Sequence, residues 1–156
     1  MRKIPQRIPS PAEFHALCAG DVMTPDPETV SPETLLSEVM EAMEQRGVQH
    51  FPVVEGSRLV GTISERFVRD AMPSILTVGD PEARKRFLRV TQVSQVVVKN
   101  PPTCSPDAPL GGAITVMRTF RVGALTVVEG SKVVGIITSG DLMTLLERAL
   151  KSAQDW

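Results

Sequence analysis

The sequence has no tyrosine, one tryptophan, two histidines and two cysteines in 156 residues. Cys18 and Cys104 stand alone without C-x-x-C spacing, and no histidine joins them at the spacing of metal ligands. The composition therefore predicts no metal site and favours a reducing, cytoplasmic setting. The sequence also has no predicted Ser/His/Asp set, G-x-G-x-x-G motif or phosphate-binding P-loop, so it does not predict an enzyme.

The chain also has no large excess of charge of either sign and no long apolar run. The net charge is −1 with both signs spread along the chain, whereas a nucleic-acid-binding protein usually shows a basic stripe. The longest apolar run is only a few residues, which is too short for a transmembrane helix. The N-terminal stretch MRKIPQRIPSPAEF lacks the apolar centre of a secretory signal. We therefore expect neither nucleic acid nor membrane as a partner.

What the sequence does contain is an internal repeat. A shift of 74 positions aligns Val22–Val68 with Val96–Leu142 without a gap, and 16 of the 47 pairs are identical. Average composition would give roughly 3 identities by chance, so the repeat is a duplicated structural unit. Its best-preserved stretch is VVEGS, at Val53 and again at Val127.

Each repeat is predicted to fold in the order β–α–β–β–α. Extended segments (Pro27–Pro32, Pro101–Pro106) lead to amphipathic helices with serine N-caps (Ser31, Ser105) and proline at the first helical position (Pro32, Pro106). Gly47 is predicted to end the first helix, and Arg121, at the same place in the second, is a weaker stop. Paired strands joined by a short Glu-Gly-Ser turn, with glycine for positive φ, follow (His50–Val54 with Leu59–Ile63, Ala124–Val128 with Val133–Ile137), then a final helix.

The repeats also set the predicted domain boundaries, in an α+β or α/β fold whose two repeats pack together because neither can bury its sheet alone. An N-terminal extension with a turn of helix at Pro11–Leu17 precedes them. The boundaries are 1–20 for the extension, 21–80 for the first domain, 81–94 for a linker with a charged helix at Pro81–Val90, and 95–152 for the second domain.

These features together resemble a CBS domain pair, also called a Bateman module. The motifs are V-M-T-P at Val22, S-P before the first helix, P-V-V before the turn, and G-I-I-T-S-G-D-L at Gly135–Leu142. The segment Arg69–Ser74 further resembles small two-CBS proteins related to AcuB. The resemblance implies repeats packed about a pseudo-two-fold axis through their sheets, two clefts for adenosyl ligands, and dimerisation into a disc.

Thr138 and Asp141 are the main candidates for ligand contact. A helix begins after Thr138, and its free N–H groups favour an anion such as phosphate. A carboxylate one turn later can accept hydrogen bonds from both hydroxyls of a ribose. The alternative is that T-x-x-D is only a helix-capping box, although a capping carboxylate can still face a cleft.

By resemblance, several further residues would line the same cleft. Gly123 and Ala124 would leave room for a base or sugar, and Ser139 belongs to the T-S-G-D motif. Each cleft of the family also borrows the leading segment of the other repeat, which is Asp21–Thr24 for the Asp141 cleft. Met23 would contact a base there or simply pack in the core, and Thr24 lies beside it.

The corresponding cleft of the first repeat departs from the family pattern. Ser64 keeps the hydroxyl, but Phe67 replaces the carboxylate and cannot accept from a ribose. Arg66 would contact a phosphate or be a solvated surface residue, and His50 would contact phosphate or be partly buried and hydrogen-bonded. Val98 lies in the borrowed segment Gln95–Val98.

The sequence thus leads to a functional expectation in two forms. In the first, the chain is a regulatory homodimeric module that senses AMP, ADP, ATP or S-adenosylmethionine in one cleft, requires no cofactor and acts on a separate protein partner. In the second, it is a ligand-free dimerisation scaffold with a degenerate nucleotide site. The sequence alone leaves the ligand, the partner, the dimer orientation and the state of the Ser64 cleft open.

Overall fold

The computed structural model describes residues 11–74, 76 and 80–152. The helices in chain order are α1 (Pro11–Phe14), α2 (Ala19–Val22), α3 (Leu36–Arg46), α4 (Glu65–Ala71), α5 (Pro81–Val90), α6 (Leu110–Phe120) and α7 (Ser139–Ser152), with a 3-10 turn at Val93–Gln95. The strands are β1 (Thr24–Pro25), β2 (His50–Glu55), β3 (Arg58–Ser64), β4 (Val98–Lys99), β5 (Thr103–Cys104), β6 (Ala124–Glu129) and β7 (Lys132–Thr138).

The chain divides into two compact units that do not follow the sequence repeats. One, here called the Ser64 unit, is Glu28–Pro101. The other, the Asp141 unit, combines the residues up to Pro27 with those from Pro102 onwards. The leading segment of each repeat therefore belongs to the unit that holds the strands and final helix of the other repeat.

Each unit has its own antiparallel hairpin, extended by the borrowed segment. In the Ser64 unit, β2 pairs with β3, and β4 pairs with the other edge of β3. In the Asp141 unit, β6 pairs with β7, β1 pairs with the other edge of β7, and β5 lies parallel to β6. The predicted turns are confirmed, because Gly56 and Gly130 have φ of 61° and 64° in two-residue loops that need positive φ.

The predicted helix starts were wrong. The helices begin at Leu36 and Leu110, four residues after the Ser-Pro pairs. The N–H of Thr34 donates to the carbonyl of Ser31 (3.2 Å), and that of Ala108 donates to the carbonyl of Ser105 (3.1 Å), so each pair starts a turn instead. Proline suits the second position of such a turn as well as the first position of a helix, and local sequence does not separate the two.

The predicted helix ends were correct in both repeats. Gly47 closes α3 with φ of 63°, in the left-handed conformation that glycine adopts without cost. Arg121 closes α6 in the same conformation, with φ of 53°. The arginine carries a Cβ in this region, so it is the less favourable stop, yet the fold enforces the same end.

Each unit has a buried apolar core beneath its sheet. In the Ser64 unit the core holds residues of α3, the hairpin, α4 and the 3-10 turn (Leu36, Val39, Met43, Phe51, Val53, Ile63, Val68, Val93). In the Asp141 unit it holds residues of α2, α6, the hairpin and α7 (Ala19, Val22, Leu110, Ala113, Met117, Leu125, Val127, Ile137, Leu145). The predicted charged helix is confirmed as α5, and Phe87 and Leu88 on it pack against the Ser64-unit core.

The prediction of a loose extension before Gly20 was wrong for its last residues. Ala19 is fully buried, its N–H donates to the carbonyl of Ala108 (2.8 Å), and the carbonyl of Leu17 accepts from Leu110 N–H (2.9 Å). The predicted turn of helix is shorter than expected, at Pro11–Phe14. Residues 1–10 lie outside the described part of the chain. Within the described ranges, no helix has the length and apolar character needed to cross a membrane.

Candidate functional site

Thr138 and Asp141 form a reciprocal capping box at the start of α7. The N–H and Oγ1 of Thr138 both donate to Asp141 Oδ2, each at 2.9 Å. The N–H of Asp141 in turn donates to Thr138 Oγ1 at 3.2 Å. The capping interpretation of T-x-x-D is therefore correct as far as local geometry goes.

The cap uses only one oxygen of the Asp141 carboxylate. Asp141 is 3% exposed, and its side chain is held in place by the two bonds to Oδ2. Its other oxygen, Oδ1, accepts no hydrogen bond from a described residue. Oδ1 is also not fully buried, because it does not occur among the fully buried side-chain atoms without a partner in the described part of the chain. An ionised carboxylate can accept about four hydrogen bonds, so the cap leaves acceptor capacity beside the helix start.

Gly123 and Ala124 lie directly beside this cap. The N–H of Ser139 donates to the carbonyl of Gly123 (2.9 Å), and the Ser139 hydroxyl donates to the same oxygen (3.3 Å). Ala124 is the cross-strand partner of Thr138 on β6 and β7. These small residues keep the backbone next to Thr138 free of bulky side chains.

The leading segment Met23–Thr24 lies on the other edge of β7. Thr24 pairs with Ile136, two residues before Thr138. Met23 is half-buried, and its thioether packs over Gly135 and against the Asp141-unit core. Core packing is thus one role of Met23, and contact with a ligand base stays a prediction. All seven residues predicted for the Asp141 site lie in one compact unit (Met23, Thr24, Gly123, Ala124, Thr138, Ser139, Asp141).

Ser64 caps α4 in the same manner but without a carboxylate. The N–H of Phe67 donates to Ser64 Oγ at 3.2 Å, and Ser64 is buried. The carbonyl of Gln49 accepts from Glu65 N–H (2.9 Å), just as that of Gly123 accepts from Ser139. Phe67, which stands where Asp141 stands in the other repeat, is 46% exposed. The backbone of the site is therefore duplicated, while its ionisable group is not.

The remaining residues predicted for the Ser64 site are placed differently from one another. Arg66 points to solvent, with a side chain 88% exposed, and forms an ion pair with Asp70 at 3.6 Å. That geometry fits the surface-residue interpretation. Val98 lies on β4, opposite Thr62, and His50 is half-buried opposite Ser64.

Burial lowers the pKa of His50 below its ordinary value. Because the folded state then resists protonation, the unfolded state binds more protons below pH 6.5, the ordinary value for histidine. We expect the free energy of unfolding to be constant with respect to His50 above that pH and to fall as the pH decreases below it. His50→Gln should flatten this part of a urea-midpoint series taken between pH 7.5 and 5. His15→Gln, at an exposed position, is the matched control, and an unchanged slope in His50→Gln would contradict the prediction.

Sequence reasoning passed over one polar residue of the Asp141 unit. Thr126, in the middle of β6, is 1% exposed, and its Oγ1 is buried without a hydrogen-bond partner in the described structure. The sequence did contain a signal, because Thr126 occupies the position of Pro52 in the first repeat and so introduces a hydroxyl between the apolar Leu125 and Val127.

A comparison against protein families agrees with the duplicated architecture. The model of the CBS domain matches twice, at residues 19–72 and 93–148. This chain belongs to the CBS domain family. A CBS domain-containing protein of Dictyostelium discoideum is 30% identical over 125 residues, which are 79% of this chain and 86% of that protein.

Longer relatives share only the CBS part. An inosine-5'-monophosphate dehydrogenase of Korarchaeum cryptofilum is 29% identical over 115 residues, which cover 73% of this CBS chain but 21% of the dehydrogenase. The match therefore carries no inference about the dehydrogenase reaction.

Solved structures confirm the α+β fold. A Vibrio cholerae protein assigned to acetoin utilization (AcuB) matches with a TM-score of 0.71 and 26% identity, over 90% of this chain and 97% of its own. CBSX2, solved in complex with AMP, matches with a TM-score of 0.68 and 22% identity over 86% and 97%. A CBS domain pair solved with 5'-methylthioadenosine and S-adenosyl-L-methionine matches with a TM-score of 0.69 and 20% identity over 84% and 96%. The last two structures are only 22% and 20% identical to this chain, so they show that the fold is shared and nothing further.

Proposed function

We propose that the Asp141 unit binds an adenosyl ligand such as AMP, ADP, ATP or S-adenosylmethionine, and that the chain is a cytoplasmic regulatory module. The observation that carries this proposal is that only one of the two carboxylate oxygens of Asp141 accepts hydrogen bonds within the cap. The capping box fixes the side chain through Oδ2, and Oδ1 keeps its acceptor capacity. A pre-positioned carboxylate of this kind suits the two adjacent hydroxyls of a ribose.

The surroundings of Asp141 favour the same ligand class. Ala124 and Gly123 beside the cap offer backbone rather than bulky side chains to a sugar or base. The start of α7 adds the positive end of a fourteen-residue helix, which favours a phosphate near Thr138 and Ser139. Thr24 and Met23 complete the edge of the site at β7, where Met23 offers an apolar surface. The AMP and S-adenosylmethionine complexes of structural neighbours support this ligand class without fixing the ligand of this chain.

The Ser64 unit is proposed to behave differently. Phe67 removes the ribose acceptor, and the exposed Arg66 pairs with Asp70. His50 stands where Ala124 stands in the other repeat, and its imidazole is much larger than the methyl group of alanine. We therefore propose one site competent for an adenosyl ligand and one that is empty or differently selective.

The proposed output is regulation of a separate protein rather than catalysis. Ligand binding can shift such a module only if the ligand binds one arrangement more tightly than another, and a homodimer would then pass that difference to a partner. No group of three or more metal-ligating side chains occurs among the described residues. The alternative is a ligand-free dimerisation scaffold, which the loss of the carboxylate at Phe67 favours for the Ser64 unit.

A thermal-unfolding screen separates the two functions. We expect at least one of AMP, ADP, ATP, S-adenosylmethionine and NADH to raise the melting temperature of the chain. A ligand at 100 times its dissociation constant stabilises by about 2.7 kcal/mol. Guanosine and cytidine monophosphates at equal concentrations control for nonspecific effects of phosphate. If none of the five adenosyl compounds shifts the transition, the sensing function is wrong and the scaffold remains.

A further inference from the structure

The outer side of α7 carries apolar residues where a surface helix usually carries polar ones. Leu142 and Leu145, on the inner side, pack with the core of the Asp141 unit. Met143, Leu146 and Leu150 point away from that core and are 65%, 50% and 60% exposed to solvent. Residues three and four positions apart lie on one side of a helix, so these three side chains form a continuous stripe, here called the α7 stripe.

The α7 stripe is unlike the other exposed apolar residues of the chain. The remaining large hydrophobic side chains that are exposed in the described ranges lie on other segments, one on each (Phe67, Leu76, Val90, Phe120). Single exposed apolar residues are ordinary, whereas a contiguous group marks an interaction surface. A helix with apolar residues on both sides is typical of one that is covered on both. The spacing of three and then four residues is also the spacing with which one helix packs against another.

The first repeat shows that the stripe is not a requirement of the repeated fold. Arg69 stands where Met143 stands in the second repeat, and it forms an ion pair with Glu65. The helix α4 has seven residues and ends before the positions that correspond to the rest of the stripe, whereas α7 has fourteen. The stripe is therefore a specific property of the Asp141 unit.

We propose that the α7 stripe packs against the α7 stripe of a second copy of the chain, so that the Asp141 units of two copies meet. This inference rests on the homodimer of the proposed function and gives that homodimer its orientation. An apolar stripe needs an apolar surface opposite it, and among the described residues the stripe is the one run of exposed large hydrophobic side chains that a second copy offers. A surface that pairs with itself forms a closed dimer with two-fold symmetry.

The charges beside the stripe permit this self-pairing. In a two-fold interface a surface meets its own copy, so a surface with a net charge repels itself. Glu147 and Lys151, which flank the stripe, form an ion pair with each other and leave its surroundings neutral. The helix α5 is the contrast, because its exposed Val90 lies on a helix with four basic residues and one acidic residue.

Pairing of the α7 stripe with α4 of a second copy is the less favourable orientation. The apolar side chains would then cover the Arg69–Glu65 and Arg66–Asp70 ion pairs, which are exposed to water in the single chain. Ion pairs lose hydration when they are buried, and apolar side chains do not replace it. Pairing of like with like avoids this loss and brings two α7 helices, each of which begins at a ligand-binding cap, into one interface.

Sedimentation velocity of the full chain over a series of concentrations tests this orientation. We expect the wild type to dimerise, and Leu146→Glu and Leu146→Lys each to raise the dissociation constant of the dimer at least about a hundredfold, because like charges meet across the two-fold axis. An equimolar mixture of the two variants should dimerise again, since a carboxylate then meets an ammonium group. Position 146 is exposed in the single chain, so both variants should fold, which far-ultraviolet circular dichroism checks. Val90→Glu, a similar change on α5, is the control and should dimerise as the wild type does.

The outcomes separate this inference from the proposed function. If both Leu146 variants dimerise as the wild type does, another surface forms the dimer, and the inference is overturned while the homodimer stands. If each variant is monomeric and their mixture stays monomeric, the stripe faces a different surface of the second copy, which overturns the pairing of like with like. If the wild type is monomeric at every concentration, the homodimer is wrong and the stripe is covered by a different partner. The adenosyl site is tested separately by the thermal-unfolding screen and is not affected by these results.

Discussion

Asp141→Asn is expected to abolish most of the ligand-induced stabilisation while leaving the ligand-free protein nearly as stable as before. The amide oxygen can take over the role of Oδ2 and accept from both the N–H and the hydroxyl of Thr138. The amide nitrogen would replace Oδ1, and as a donor it cannot accept from a ribose hydroxyl. Loss of the charged acceptor for two hydroxyls removes about 3 kcal/mol of binding. At the ligand concentration that stabilises the wild type by about 2.7 kcal/mol, the variant should gain less than about 0.5 kcal/mol.

Ser64→Ala is the matched control for this experiment. It removes the hydroxyl that caps α4 and should cost about 1 kcal/mol of stability. Its effect lies in the other unit, so the ligand-induced stabilisation should persist in full. Persistence of the shift in Asp141→Asn, or its loss in Ser64→Ala, would show that the ribose is not held at Asp141.

The sequence allowed accurate prediction wherever the determining contacts are local. The Glu-Gly-Ser turns are correct because positive φ at Gly56 and Gly130 is a requirement of the two-residue loop itself. The capping box of Thr138 and Asp141 is likewise contained in four residues. The duplication supports the turn prediction, because the same Glu-Gly-Ser pattern occurs at the equivalent place in both repeats.

Predictions failed where a distant contact decides between two local possibilities. Ser31-Pro32 fits both a helix start and a turn, and α3 instead begins at Leu36, whose N–H donates to the carbonyl of Thr91 (2.9 Å), far along the chain. Ala19 is buried because its N–H bonds to Ala108, a residue far along the chain. Composition near the N-terminus gives no sign of that contact, so the sequence alone predicts a loose segment there.

The candidate site was predictable in its residue types but not in its unpaired atoms. T-S-G-D indicates the cap, yet only coordinates show that the cap engages one carboxylate oxygen and leaves the other without a partner. The Thr126 hydroxyl is a similar case, since a threonine in a strand is ordinary until its burial and lack of a partner are known.

Gly61→Ala is expected to destabilise the chain more than Gly135→Ala, although the two glycines occupy equivalent positions in the repeats. A Cβ on Gly61 would overlap the Cγ2 of Val97 and lie 2.8 Å from the carbonyl oxygen of Val98. That carbonyl belongs to β4, which is paired with β3, and a β-branched valine has little rotamer freedom. Overpacking against such rigid atoms should cost about 3 kcal/mol, at the upper end of the usual range.

A Cβ on Gly135 would instead overlap the side chain of Met23, whose Cγ is 2.8 Å away. Methionine is unbranched and can move aside, so we expect a cost of about 1 kcal/mol. Gly112→Ala is the control, since nothing lies within 4 Å of its added Cβ and alanine favours the helix, which should raise stability by about 0.5–1 kcal/mol. Urea unfolding of the three variants gives the order, and a larger loss for Gly135→Ala than for Gly61→Ala would contradict it.

Gly61→Ala and Gly135→Ala should differ more in their ligand-induced stabilisation than in their ligand-free stability. Displacing Met23 disturbs the segment Met23–Thr24 at the edge of the proposed adenosyl site, whereas Val97 and Val98 belong to the unit that lacks the carboxylate. The less destabilised variant, Gly135→Ala, should therefore show the weaker ligand-induced rise in melting temperature. Gly61→Ala should keep the wild-type rise from a lower starting temperature. Equal rises in the two variants would mean that the segment carrying Met23 contributes packing to the Asp141 unit and nothing to its ligand.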